Sequence, residues 1–109
     1  MTLTKQNTIT WQGQSGKSYK YWIYELPPNF VAKPGNYIFA KEVSPGRYKP
    51  IYTGQTSDLS ERFDNHHKMD CIRRNGATHI HAHTNESGEQ ARLAEERDLV
   101  AKWNPSCNG

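Results

Sequence analysis

Residues 36–43 (NYIFAKEV), the turn Ser44-Pro45-Gly46 and residues 48–53 (YKPIYT) read as a β-hairpin. Aromatic and aliphatic side chains recur in both arms, and Pro-Gly punctuates the middle. Such a hairpin needs further elements to cover its faces. Outward from it, the chain supplies them on both sides.

Downstream, Gly54 breaks the strand pattern, and Thr56, Ser57 and Asp58 offer side-chain oxygens that can cap a helix. That helix carries Leu59 and Phe63 four residues apart and ends before Gly76. Residues 78–84 (THIHAHT) alternate and read as a third core strand. Residues 85–88 interrupt. Ser87-x-x-Gln90 fits a capping box, and a helix then runs to Trp103, with Pro105 just beyond as a stop signal. Upstream, Ile9 and Trp11 alternate with polar residues, Gly13-Gln14-Ser15-Gly16 is a turn signal, and Tyr19, Tyr21 and Ile23 alternate again. Trp22 and Tyr24 fall on the opposite face, so this second hairpin is either covered on both sides or uses one side for contacts. Pro27-Pro28 ends it, and residues 27–35 connect it to the core.

The expectation is therefore an α+β domain with a mainly antiparallel sheet. Three core strands and an N-terminal hairpin would pack with about three helices. Residues 1–34 would form the hairpin extension and linker, and residues 35–109 the core. The hairpin can extend the sheet, bring two copies together or touch a substrate.

At 109 residues there is room for one domain. Fourteen Lys and Arg against eleven Asp and Glu leave a formal charge of +3, which permits a nucleic-acid partner without requiring one. No stretch approaches the roughly 20 apolar residues that cross a bilayer, and residues 1–10 lack the apolar core of a signal peptide. Cys71 and Cys107 have neither C-x-x-C spacing nor the numbers of a disulfide framework. The simplest expectation is a reduced, cytoplasmic protein with no membrane partner.

The chemistry-bearing residues are few. On the last helix, Glu96 shares spacing with Leu93, Leu99, Val100 and Trp103, whereas Glu95 sits among Ala91, Arg92, Asp98 and Leu99. This places Glu96 on the core-facing stripe, where a carboxylate needs a partner or a metal. Arg62 and His66 lie four apart on the first helix. An Arg grips phosphate with paired hydrogen bonds, and a His can donate to the same oxyanion or to a tyrosine. Tyr37 and Tyr52 stand on strands that should pair, with Gly35 and Gly54 at strand ends.

Taken together, Gly35-Asn36-Tyr37, Tyr52-Thr53-Gly54, Arg62-x-x-x-His66, Glu96 and Asn108 resemble the GIY-YIG nuclease family. The stretch from Tyr52 through Leu59 to Arg62 is the most specific part. The block from Glu96 through Leu99-Val100 to Pro105-x-x-Asn108 is similar to the family's closing helix and tail. Asn36, Thr53 and Cys107 depart from the usual residues at their positions.

The resemblance implies hydrolysis of DNA phosphodiesters with Mg²⁺ or Mn²⁺ held by Glu96; RNA is a further candidate substrate. Tyr37 would activate water, its pKa lowered by Arg62 and His66. Arg62 would stabilise phosphoryl charge, and Tyr52 would orient the phosphate or hold Tyr37. Asn108 would position Glu96 or its loop. Gly54, Gln55, Lys41, Lys49, Lys68, Arg73 and Arg74 are the candidate substrate contacts. A homodimer or a recruiting protein would complete a duplex cutter.

Two other readings compete. One keeps the fold as a nucleic-acid-binding or interaction module without catalysis. The other is a zinc protein using His79, His81 and His83 along one strand face, or His66, His67 and Cys71.

Overall fold

The computed structural model describes residues 8–26, 30–61 and 66–108. The elements run β1 (Thr8–Gln12), β2 (Ser18–Glu25), β3 (Gly35–Ser44), β4 (Arg47–Thr56), α1 (Met69–Arg74), β5 (His79–Thr84) and α2 (Glu89–Trp103). This is an α+β fold: one antiparallel sheet ordered β1-β2-β5-β3-β4, with two helices among the described residues where about three were expected.

The β3–β4 hairpin forms as the sequence predicts. Ser44 pairs with Arg47, which leaves Pro45-Gly46 as the turn. Gly46 has φ 76°, a value that L side chains rarely adopt and that a proline-glycine turn of type II requires at its second position. β5 pairs with β3 on one side and β2 on the other. The N-terminal hairpin thus extends the core sheet, the first of its three expected roles.

Alternation along the central strands creates two faces. Tyr37, Phe39, Ile80 and Ala82 share one face with Tyr52, Leu59, Ile72 and Cys107, and α1 packs there. Ile38 shares the other with Trp11, Tyr21 and Leu99 of α2. Both faces of the middle strands are covered, so residues 35–40 are buried without interruption.

The first helix differs from expectation. Residues 57–61 form bends and a turn, and α1 spans only Met69–Arg74. The cap oxygens are spent locally. Asp58 Oδ1 accepts from the Ser60 backbone N–H at 2.9 Å and from its hydroxyl at 2.6 Å, and Thr56 Oγ1 donates to Glu61 Oε1 at 2.9 Å. The Leu59 N–H donates across the fold to the Lys33 carbonyl at 2.8 Å. Side-chain-to-backbone bonds of this kind compete with helix formation. Arg62 and Phe63 lie outside the described residues, so their expected placement beside Leu59 and His66 does too.

α2 has the predicted length, but Gly88 is its cap and makes no side-chain cap bond, in place of the Ser87 box. Its C-terminus closes on Asn104 in the left-handed conformation, φ 46°, just before Pro105.

The two cysteines are joined as a disulfide, contrary to the expectation of free thiols. Their 36-residue separation hides this pairing from any local spacing rule. No helix among the described residues is long and apolar enough to cross a membrane.

Candidate active site

Tyr37 projects from β3 on the α1 face, and its neighbour across the ladder is Gly54 of β4. A Cβ added at Gly54 would lie 2.7 Å from the Tyr37 ring carbon Cζ and its hydroxyl, and 2.9 Å from Tyr52 Cε2. Real Cβ atoms do not come that close. The missing side chain therefore lets the Tyr37 phenol lie across β4 beside Tyr52, with ring centroids 6.2 Å apart.

His66 reaches the same place. Its Nε2 is 2.7 Å from the Tyr37 hydroxyl oxygen. The Lys68 backbone N–H donates to His66 Nδ1 at 3.0 Å, so Nδ1 carries the lone pair. In a neutral ring the proton then sits on Nε2 and is donated to Tyr37. Burial, followed by the charges of His67 and Lys68, pulls the His66 pKa down to about 4, which keeps that neutral form at pH 7. His66 is thus a hydrogen-bond donor to the phenol, and the expected charged neighbour is a neutral one. His67 stacks on it with centroids 4.5 Å apart, and Tyr52 meets it edge-on at 4.8 Å.

Burial raises the Tyr37 pKa above the ordinary tyrosine range, with Tyr52, Glu96 and Glu61 adding to the rise. The sequence reading needed the opposite shift for a resting base. Tyr52 is raised for the same first reason and then by Glu96. Both phenols therefore feel the Glu96 charge. The expected convergence was of Tyr37, Arg62 and Glu96, and Arg62 lies outside the described residues.

Glu96 does not lie on the buried stripe of α2, contrary to expectation. The fully buried positions of α2 are Arg92, Glu95 and Leu99, and Glu96 is half-buried. The sheet face beneath α2 carries polar groups beside the apolar cluster around Leu99, and polar helix residues turn towards them. Glu95 Oε2 accepts from the Tyr21 hydroxyl at 2.6 Å and from His83 Nε2 at 2.7 Å, and Oε1 accepts from Asn85 Nδ2 at 3.2 Å. Arg92 donates through Nε to Gln55 Oε1 at 2.9 Å and through a terminal nitrogen to the Asn85 carbonyl at 3.2 Å. Asn36 Nδ2 donates to the Arg92 carbonyl at 3.0 Å, and Asn36 Oδ1 accepts from Asn85 at 3.1 Å. Asn36, an odd residue for an interior strand, belongs to this network, as does the predicted substrate contact Gln55. Glu95 is fully partnered and structural. Glu96 has no hydrogen bond or ion pair among the described residues, and burial raises its pKa against the lowering effect of Arg97.

Asn108 grips β4 rather than Glu96. Its side chain accepts from the Thr53 N–H and donates to the Thr53 carbonyl, both at 2.8 Å. With the Cys107 N–H donating to the Ile51 carbonyl at 2.8 Å, the tail covers the free edge of β4 between the residues flanking Tyr52. Among the candidate cations, Lys41 and Lys49 are exposed and directly opposite each other. Lys41 also runs along Gly76, just past the exposed Arg73 and Arg74. Lys68 meets the site through its backbone N–H and the charge of its ammonium.

The histidine row has other partners. His79 bonds the Thr78 hydroxyl, His81 accepts from Trp11 Nε1 at 3.0 Å, and His83 contacts Glu95. No group of three His, Cys, Asp or Glu among the described residues is placed to hold a metal. Sequence reasoning missed the Glu95–His83–Tyr21 cluster, whose signal was a Tyr, a His and a Glu in three separate elements. No family model matches the chain, and neither does any curated protein or solved structure.

Proposed function

We propose that this protein is a metal-dependent endonuclease of the GIY-YIG type that hydrolyses DNA phosphodiester bonds. The observation that carries the reading is the Tyr37 phenol, held over Gly54 by a His66 N–H and lying with Tyr52 in the field of Glu96, a carboxylate without a partner among the described residues.

Glu96 fits a single Mg²⁺ or Mn²⁺, since such ions take one or two carboxylates and keep several waters. A half-buried carboxylate with a raised pKa gains from a cation beside it. When bound, the ion neutralises developing charge on the phosphoryl and leaving oxygens. The residues do the rest. In the hydrolytic step Tyr37 acts as its phenolate, its own proton having passed to solvent. A water oxygen bonds to phosphorus, the bond to the leaving sugar oxygen breaks, the water's proton passes to the phenolate oxygen, and the leaving oxygen takes a proton from solvent. His66 holds that oxygen and, by donating to it, favours the phenolate. Tyr52 keeps the phenol in place. Arg62, by the resemblance, stabilises the phosphoryl oxygens. Lys41, Lys49, Arg73 and Arg74 hold flanking phosphates and give affinity without sequence choice.

The test is nicking of supercoiled plasmid with Mg²⁺ or Mn²⁺ by the wild type and by Tyr37→Phe. Loss of a positioned base lowers the rate by about 10²–10⁴-fold, with DNA retention in a gel-shift unchanged. Retention without nicking by the wild type favours the silent binding module instead.

A further inference from the structure

Trp22 is 37% exposed on β2 and lies outside both core clusters. Its register explains its interest. Trp22 pairs with Ala82, Ala82 with Tyr37, and Tyr37 with Gly54. Residues directly opposite share a face, so these four form one row across the sheet, alternating large and small. At about 4.8 Å per strand, Trp22 stands roughly 10 Å from Tyr37 on the same face. The neighbours of Trp22 on that face of β2 are Lys20, whose ammonium sits 5.5 Å from the Trp22 ring centre, and Tyr24, which meets Phe30 edge-on at 4.7 Å. Between these rings and Leu59 opens a cleft of about 210 Å³. Leu59 and Ala82, which line this cleft, also belong to the cluster that holds Tyr37.

We propose that this cleft stacks an unpaired nucleobase of the DNA strand being cut, making the preferred substrate one with a single-stranded flap or displaced base about three nucleotides from the scissile bond. The inference rests on the nuclease reading and names its substrate class. The chemistry suits a nucleotide: a planar ring for the base and an ammonium beside it for the phosphate. The spacing from Trp22 to Tyr37 equals about three stacked nucleotides at ~3.4 Å each. A base inside a duplex has both faces covered by its neighbours and cannot reach Trp22. An unpaired base can, and stacking on an aromatic side chain is tolerant of base identity.

The experiment uses the full chain without divalent metal, so that it does not depend on cleavage. A duplex with a short flap carrying 2-aminopurine near the junction is compared with a continuous duplex of the same length. The wild type should bind the flapped DNA about tenfold more tightly, the scale of one stacked base, and quench the 2-aminopurine. Trp22→Ala should lose both effects, and Trp22→Tyr, which keeps a ring, should retain most of them. Equal affinity for the two DNAs, or quenching and preference unchanged in Trp22→Ala, overturns the proposal. So does a Trp22→Ala chain that sediments as a smaller species than the wild type, because the face would then join two copies. Adding Mg²⁺ in a separate arm tests the nuclease reading. Trp22-dependent flap binding without cutting would fail that reading alone, and cutting insensitive to Trp22 would fail the stacking proposal alone.

Discussion

Gly54 shows how one residue can set a site without taking part in it. Any side chain there must displace Tyr37 and Tyr52 together, because a Cβ would press on both rings at under 3.0 Å. Gly54→Ala should cost about 1–3 kcal/mol of stability, the usual range for overpacking. It should also lower plasmid nicking by more than the loss of folded protein explains. Urea titration and nicking on the same preparation separate the two effects. At this scale the sequence was legible in the pairing of the strands that carry Tyr37 and Tyr52, while Gly54 as the residue opposite Tyr37 emerged only from the register. It misled at Glu95 and Glu96. Apolar spacing identifies the buried stripe of a helix only when the surface beneath is uniformly apolar, and beneath α2 Ile38 and Trp11 share the surface with Tyr21, Asn36, Gln55 and His83. Glu96 survives as the candidate ligand for a different reason: its neighbour Glu95 is already committed to three donors.

Among the elements, the C-terminal tail has the clearest role. β4 is an edge strand, and Asn108 satisfies the outward N–H and C=O of Thr53 in a single two-point clasp. The disulfide anchors the neighbouring Cys107 to Cys71 of α1. Asn108→Ala removes two hydrogen bonds and should destabilise by about 1–3 kcal/mol. Reduction, or Cys107→Ser, should cost about 2–4 kcal/mol by releasing a loop of this length in the unfolded chain. Thermal unfolding with and without reductant measures both, and a reductant-insensitive midpoint would count against the bond. None of this was legible beforehand. A cysteine pair so far apart in the chain has no local signature, and the Asn108 clasp depends on a register that only the folded tail reveals. The first helix was misread for a related reason, since Thr56 and Asp58 serve a turn as well as they serve a cap.

The whole molecule buries charge-prone groups on both faces of one sheet, and this sets its response to acid. His81 is fully buried between Trp11 and Tyr48, and burial, then the nearby His79, pulls its pKa from 6.5 to about 3. The unfolded imidazole takes up a proton near pH 6.5 and the folded one only near 3. Its contribution to stability is therefore complete above pH 6.5 and is lost as pH falls towards 3. The slope is at most about 1.4 kcal/mol per pH unit for one such group. His66, lowered to about 4, acts in the same direction. Urea midpoints at pH 7.5, 6 and 5 should fall in order, and His81→Gln, which keeps an acceptor for Trp11, should flatten the decline. A wild-type midpoint independent of pH would contradict the burial of a neutral His81.

Single-turnover nicking with Mg²⁺ by Glu96→Gln and Glu95→Gln separates the different tasks proposed for these adjacent carboxylates. Glu96→Gln should fold as the wild type does and lose at least about 10²-fold in rate, the scale expected when a group stabilising transition-state charge is removed. Glu95→Gln should unfold more easily yet cut at near wild-type rate per folded molecule. Full activity in Glu96→Gln, or loss of cutting confined to a well-folded Glu95→Gln, would contradict the account.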